Sequence, residues 1–393
     1  MENITNGKFT GRARRRSALA ALALGMALLA ACNQGGASTV ETTADAAMHR
    51  ANPARTGLYA ADGPTEYQSI KWQFAAADWV FGAPAVLGDT VFVAGYDGHA
   101  YALDRETGAE KWRFDSGAEI IASPAAAGDL LFVGNMGGVI LALDGATGEE
   151  RWRVESGAGF SGSPAVVGDT VYFGNEAGLL LALDTADGAE RWRFQQPDTN
   201  MPFSPAVADG IVYAAVSNGI LYALDAATGE EQWRYDPNTQ TNLHSPTADP
   251  VVADGVVYFM TTDTSLKGIL HAIDVATQTV RWQYSSQAEN FSAPAVSGDK
   301  LIWGSLDHKL YAVSAESGEL LWTYPTEDII FSAAAIAGET VYVGGQDMNL
   351  HAVNINDGRR RWQFRAESSV SSPAVVDGVV FVGTEGGIVY ALQ

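Results

Sequence analysis

Trp72, Trp112, Trp152, Trp192, Trp233, Trp282, Trp322 and Trp362 follow one another at intervals of 40, 40, 40, 41, 49, 40 and 40 residues. Each interval holds four short β-rich runs parted by turn signals, as in SPAVVGDTVYFGNEAGLLLALDTADGAERWRF at 163–194. The segment 370–393 supplies the first three runs of a unit and stops before any Trp, whereas 69–74 supplies only the fourth. Together these observations predict an all-β fold: an eight-bladed β-propeller of four-stranded antiparallel blades, its last blade closed by the N-terminal strand. Joining the two chain ends in one blade leaves no incomplete sheet.

In chain order, residues 1–31 are read as a lipoprotein signal peptide. Arg12, Arg14, Arg15 and Arg16 precede an uncharged Ala/Leu-rich stretch over 17–31. That stretch is shorter than the ~20 residues of a spanning helix. It ends in Leu29-Ala30-Ala31-Cys32, which resembles the bacterial lipobox, and Cys32 is the only cysteine in the chain. Cys32 is therefore the expected lipid attachment, and an internal disulfide is excluded. Asn33, where an inner-membrane retention signal would place Asp, points to the periplasmic face of an outer membrane if there are two membranes, and to the cell surface otherwise. Residues 32–64 read as a flexible tether and lead-in, rich in Gly, Ala, Ser and Thr at first. Residues 65–393 form the propeller.

Strand A of each blade follows Pro84, Pro124, Pro164, Pro205, Pro250, Pro294, Ala334 or Pro373, since proline is tolerated at a strand's first residue. A Gly-Asp, Asp-Gly or Gly-Glu pair, as at Gly88-Asp89 and Asp209-Gly210, turns the chain into apolar strand B. A variable B→C turn leads to strand C, and a polar C→D turn delivers the Trp-bearing strand D. The series Asp104-x-x-Thr107-Gly108, Asp144-x-x-Thr147-Gly148 and Asp225-x-x-Thr228-Gly229 marks that last turn. Its Asp can bond backbone N–H groups and its Gly supplies a left-handed conformation, so Gln278 in the glycine's place predicts a distorted turn. A residue type present in every blade is scaffold, and the eight repeat tryptophans are read as structural docks between blades.

The run from Ala102 to Trp112, repeated with substitutions around the ring, resembles the tryptophan-docking repeat of the pyrroloquinoline-quinone (PQQ) type. The resemblance covers about 65–393, and Asn52-Pro53-Ala54-Arg55-Thr56-Gly57 is similar to the lead-in of many bacterial PQQ-like repeat proteins. It implies two branches. One holds PQQ- and Ca²⁺-dependent alcohol dehydrogenases, which typically carry a disulfide of adjacent cysteines beside the cofactor; this chain has no Cys after position 32. The other holds lipid-anchored, non-catalytic propellers similar to BamB, a subunit of the outer-membrane β-barrel assembly machinery. The second branch fits the signal, lipobox, length and blade count. It implies a monomeric envelope scaffold with no cofactor, whose partners are envelope proteins such as barrel-assembly components and which touches the membrane only through its lipid. The quinoprotein reading and a small-ligand or glycan-binding funnel remain as alternatives.

The charge agrees with a protein partner. The chain carries 24 basic and 46 acidic residues, a net of −22. Cleavage after residue 31 leaves 19 against 45, which repels phosphate backbones and excludes nucleic acid. Partner contacts are expected in the D→A and B→C loops, which vary while the other two sets are nearly uniform. The candidates are Asp78, Trp79, Glu119, Met201, His244, Asn290 and Asp328, with Trp79, outside the eightfold series, read either as an exposed aromatic anchor or as a plug packed over the ring's mouth. The longer interval after Trp233 places an insertion at 238–248 and part of 261–266 on the same face. Phe81, Ile121, Phe291 and Phe331 share one repeat position and are expected in the core. Asp97-Gly98-His99 and Asp307-His308 hint at metal ligands, but an incidental turn histidine is the favoured reading. No Ser/His/Asp set, phosphate loop or paired carboxylates stand out.

Overall fold

The computed structural model describes residues 47–238 and 244–393, and every regular element among them is a β-strand. Cys32, the signal peptide and 239–243 of the insertion lie outside the described residues. Eight antiparallel sheets stand around a central channel. Blades 1 to 7 begin with the innermost strands Ala85–Leu87, Ala125–Ala127, Ala165–Val167, Ala206–Ala208, Val251–Ala253, Ala295–Ser297 and Ala335–Ala337. Blade 8 combines Ala374–Val376, Val379–Gly383 and Ile388–Leu392 with Ile70–Ala75, which pairs with Ile388–Leu392 through Trp72 opposite Ala391 and Phe74 opposite Val389. The ring closes as the repeat count requires.

The turn chemistry follows the residues. Asp209-Gly210, Asp254-Gly255 and Asp377-Gly378 hold both central residues at positive φ, whereas Gly88, Gly128 and Gly168 do so at the first position alone. Both patterns match the twist of a tight hairpin. On the C→D side the chain makes a bulge just before each Trp, so that Ala102 faces Trp112 while Leu103 faces Glu110. The bulge turns the indole toward the next blade. Cores accordingly lie between blades: Phe132, Ile140 and Trp152 of blade 2 pack with Val171, Phe173 and Leu181 of blade 3.

Seven tryptophans dock alike. The indole N–H of Trp152 donates to Thr185 O at 2.9 Å, and those of Trp72, Trp112, Trp192, Trp282, Trp322 and Trp362 reach the equivalent carbonyl of the next blade or, for Trp362, Pro64 O. A Cβ on Gly188 would sit 2.7 Å from the Trp152 ring, so this glycine is required by close approach as well as by its φ of +73°. At Gln278 the outcome differs from the expected distortion. Gln278 adopts φ +58° and keeps the turn's hydrogen bond, N–H to Asp274 O at 2.8 Å. What is lost is the dock, since Trp233 is the one repeat tryptophan that makes no such bond among the described residues. Replacing Gln278 with glycine is expected to relieve the left-handed strain and reopen the dock. Stability should rise by ~1 kcal/mol in chemical denaturation; a neutral or destabilising result would contradict this account of the turn.

From residue 47 onward the lead-in packs inside the channel, a role that its sequence did not announce. The inner edge of each strand A presents an N–H with no sheet partner, and buried N–H groups need acceptors. Ala47, Pro53, Ala54, Thr56 and Gly57 supply carbonyls to Ala126, Val207, Val252, Val296 and Ile336 at 2.6–2.9 Å. Leu58–Tyr59 then pairs in parallel with Ala335–Ala337.

Candidate functional site

The D→A loops surround the mouth of the channel, and the lead-in blocks it from below. The result is a blind funnel of about 170 Å³ lined by His49, Phe81, Gly82, Ser123, Ser161, Ser163, Ser204 and Asp249, among others. Its wall is built from one repeat position, the residue before the strand-A proline. There the backbone N–H of Ala83 donates to Ser123 Oγ (2.8 Å), that of Ser123 to Ser163 Oγ (3.0 Å), that of Ser163 to Ser204 Oγ (2.9 Å) and that of Ser204 to Asp249 Oδ1 (2.8 Å). These four bonds stitch blades 1 to 5 each to the next.

Asp249 stands where blades 2 to 4 carry Ser, and it faces His49 of the lead-in at 3.2 Å. Burial pushes the Asp249 carboxyl upward, but the hydrogen bond from His49 and the Arg55 guanidinium outweigh it and bring it to about 2. Burial, with Arg55 and Arg50 adding to it, lowers His49 and leaves it neutral. Its Nε2–H donates to Asp249, and Nδ1 accepts the Ser123 hydroxyl at 3.1 Å. A Ser/His/Asp set thus exists in space although none was visible in the chain. Two features argue for anchoring over nucleophile activation. The hydroxyl oxygen already accepts the Ala83 N–H, and two adjacent guanidiniums oppose the imidazolium that proton transfer would create.

Those guanidiniums hold the hub together. Arg55, fully buried, donates to Pro205 O (3.1 Å), His49 O (2.9 Å), Ser163 O and Pro164 O (both 2.8 Å). Arg50 donates to Arg55 O (2.8 Å), Ala293 O (2.6 Å) and Pro294 O. Burial lowers both arginines, each to about 10, so both remain charged at neutral pH. Sequence reasoning missed this hub because its residues lie outside the repeat. The available signal was Asp249-Pro250 in the register of Ser123-Pro124, Ser163-Pro164 and Ser204-Pro205.

Above the funnel the rim is aromatic and exposed. Trp79 (44% exposed) meets Phe81 edge-on with ring centres 5.3 Å apart, and Tyr96 lies 5.8 Å from Trp79. Across the mouth, Phe291 and Phe331 pack at 5.8 Å. The expectation that Phe81, Phe291 and Phe331 belong to the core is therefore corrected: all three are exposed, and Ile121 is half-buried. The residue just before each, Val80, Ile120, Asn290 or Ile330, takes the buried place. Asp78, Glu119 and Asp328 are exposed in the D→A loops of this face, Asp78 next to Trp79 and Asp328 in the loop of Phe331.

Met201, His244 and Asn290 point inward and offer a partner no side-chain surface. Met201 fills the buried position between blades 3 and 4. His244 contacts Thr261 Oγ1 at 3.1 Å, and that hydroxyl reaches His271 Nε2 at 2.8 Å. Asn290 donates to Ser286 Oγ at 2.9 Å. At the two suspected metal turns, Asp97 bonds the His99 N–H and the Tyr101 hydroxyl, while Asp307 bonds Lys309 and Tyr311. No group of three ligating side chains occurs among the described residues.

A family model described as outer membrane protein assembly factor BamB matches residues 54–135, 97–266 and 266–393. No curated protein matches the chain. Among solved structures, BamB from Moraxella catarrhalis is 21% identical with a TM-score of 0.69, over 83% of this chain and 99% of that one. Quinohemoprotein alcohol dehydrogenase from Comamonas testosteroni is 14% identical with a TM-score of 0.73, over 90% of this chain and 81% of that one. The computationally designed Ika8 protein is 18% identical with a TM-score of 0.70, over 81% and 96% respectively. These structural likenesses share the ring and do not discriminate between binding and oxidation. The family match runs from inside the buried lead-in to the last residue, and by it the chain belongs to the family of the outer membrane protein assembly factor BamB.

Proposed function

We propose that this protein is a lipid-anchored, non-catalytic scaffold of the cell envelope that docks protein partners of outer-membrane barrel assembly on its funnel face. The carrying observation is the exposed aromatic rim of Trp79, Phe81, Tyr96, Phe291 and Phe331 on a rigid ring. Large aromatic side chains left in water on a fixed scaffold are the usual anchors of an interface. Asp78, Glu119, Glu327 and Asp328 are exposed in the same loops, so the fitting partner presents an apolar tip flanked by Lys or Arg. Cys32 would carry the lipid, since the 19 basic against 45 acidic residues left after cleavage oppose binding to anionic headgroups by electrostatics.

The test crosslinks intact envelopes and recovers the protein. Barrel-assembly components should be captured with the natural chain, and the yield should fall at least ~tenfold when Trp79 and Phe81 are both alanine. Capture that ignores the double substitution would remove the funnel face from the reading. Cys32→Ser should move the protein from the membrane to the soluble fraction; persistent membrane association would defeat the lipid assignment. Saturable binding of PQQ and Ca²⁺ with dye-linked alcohol oxidation would favour the quinoprotein reading instead.

A further inference from the structure

The outermost strand of every blade is a sheet edge, and an edge of unpaired N–H and C=O groups invites another strand unless charges guard it. Seven of the eight strands D are guarded. Ile70–Ala75 carries Lys71, Thr279–Ser285 carries Arg281, and the rest carry two or more charged residues. Leu320–Pro325, with the sequence LLWTYP, carries no charge; Pro325 blunts only its last position, and the bulge before Trp322 is common to all eight strands D. Among the described residues Leu320–Pro325 pairs only with Lys309–Ser314 on its inner side.

The difference is sharpest at the bulge residue before each Trp. Lys111 binds Asp89 (2.9 Å), Arg191 binds Asp169 and Asp184 (both 2.7 Å), Arg281 binds Asp274 (2.6 Å) and Arg361 binds Glu339 (3.3 Å). In each case a cation ties strand D back to a turn of its own blade. At this position blade 6 has Leu321, 46% exposed, beside Leu320 at 50%. Its turn manages without the cation, because Asp299 accepts the Ser314 hydroxyl (3.0 Å) and the Glu316 N–H (2.8 Å) instead. Leu320 and Leu321 therefore leave about half of their surface in water, with no charged side chain on the strand to cover them.

We propose that Leu320–Pro325 is a β-augmentation site that receives an extended segment of a protein partner with an apolar, β-branched centre and basic ends. The backbone edge supplies the hydrogen bonds, Leu320 and Leu321 supply the apolar seat, and alternate side chains of the incoming strand meet it. Basic ends follow from the exposed acidic residues at both ends of the strand, Glu316 and Glu319 before it and Glu327 and Asp328 after it. The same residues oppose a second copy of this chain. Antiparallel self-pairing would bring Glu316 and Glu319 of one copy against Glu327 and Asp328 of the other, like charge facing like. The strand edge lies on the outer wall and shares only Glu327 and Asp328 with the funnel-face loops, so Leu321→Arg tests it separately from Trp79 and Phe81.

The test uses full-length protein in detergent and a fluorescein-labelled peptide, Lys-Lys-Val-Thr-Val-Thr-Val-Lys-Lys, followed by fluorescence anisotropy. Saturable binding is expected, weakened at least ~tenfold by Leu321→Arg and retained by Leu321→Val. A peptide of the same charge N-methylated at alternate amides should not bind, which separates strand addition from attraction of lysines to an acidic protein. Thermal melting of both variants checks that the ring stays folded. Binding that is indifferent to Leu321→Arg or to N-methylation overturns the proposal. So does a dimer in sedimentation that Leu321→Arg dissociates, because the occupant would then be a second copy.

Discussion

Replacing Arg55 with alanine is expected to cost about 3–5 kcal/mol of folding stability, a large share of the ~5–15 kcal/mol that holds a typical domain. The guanidinium spans the hub with hydrogen bonds to four carbonyls, and three of those belong to the entry loops of blades 3 and 4. Alanine leaves these acceptors buried without donors and opens a void beneath the funnel. The gain from no longer burying a charge offsets part of the loss, which keeps the figure below the sum of four charged hydrogen bonds. Lysine should fail to rescue, because one ammonium cannot reproduce the fork that reaches Pro205 O and Ser163 O together. Urea denaturation of the purified protein measures the effect. A loss below ~1 kcal/mol would mean the lead-in merely fills the channel and does not bind the blades.

Trp152→Ala should be comparably severe, about 3–5 kcal/mol, whereas Trp233→Ala should cost roughly half as much. Trp152 is 8% exposed, donates to Thr185 O and packs against Phe132 at 5.9 Å between ring centres. Its removal empties a cavity between two blades and orphans a carbonyl. Trp233 is only half-buried and has no equivalent bond, owing to Gln278. Two substitutions identical in chemistry are thus expected to differ through one residue in the neighbouring turn. Equal denaturation midpoints for the two variants would refute that link.

Much of the ring was legible because a repeat shows each physical requirement eight times. Proline at the strand A entry, a Gly or Asp pair at the hairpin and Trp on strand D each meet a local demand of the backbone, and position alone reveals them. Features made by a single residue were harder to see. The buried place at the funnel belongs to Val80 and Ile330, one residue before the phenylalanines that hydrophobicity favoured, because side-chain direction in an irregular loop has no period to read. The hub was hidden for a different reason. His49, Arg50 and Arg55 act on residues far along the chain, and nothing local to them signals that two arginines will be buried and the histidine half-buried beside them. Within the repeat, Asp249 in the register of Ser123, Ser163 and Ser204 was the one visible trace of that hub. Two tryptophans stand outside the eightfold series, and position alone does not tell them apart: Trp79 is exposed on the rim, whereas Trp303 is fully buried and stacks on Tyr311.

The closing blade also governs the order in which this protein can be made. Trp72 cannot find Ala391 until the final residues have emerged, and the lead-in cannot satisfy Val296 and Ile336 until blades 6 and 7 exist. Contacts of such long sequence separation demand that most of the loop entropy be surrendered before they form. A chain delivered N-terminus first therefore waits with its central segment undocked and its first tryptophan exposed. Completion is a late, ring-wide event, and the interval before it is when a chaperone would find the most to hold.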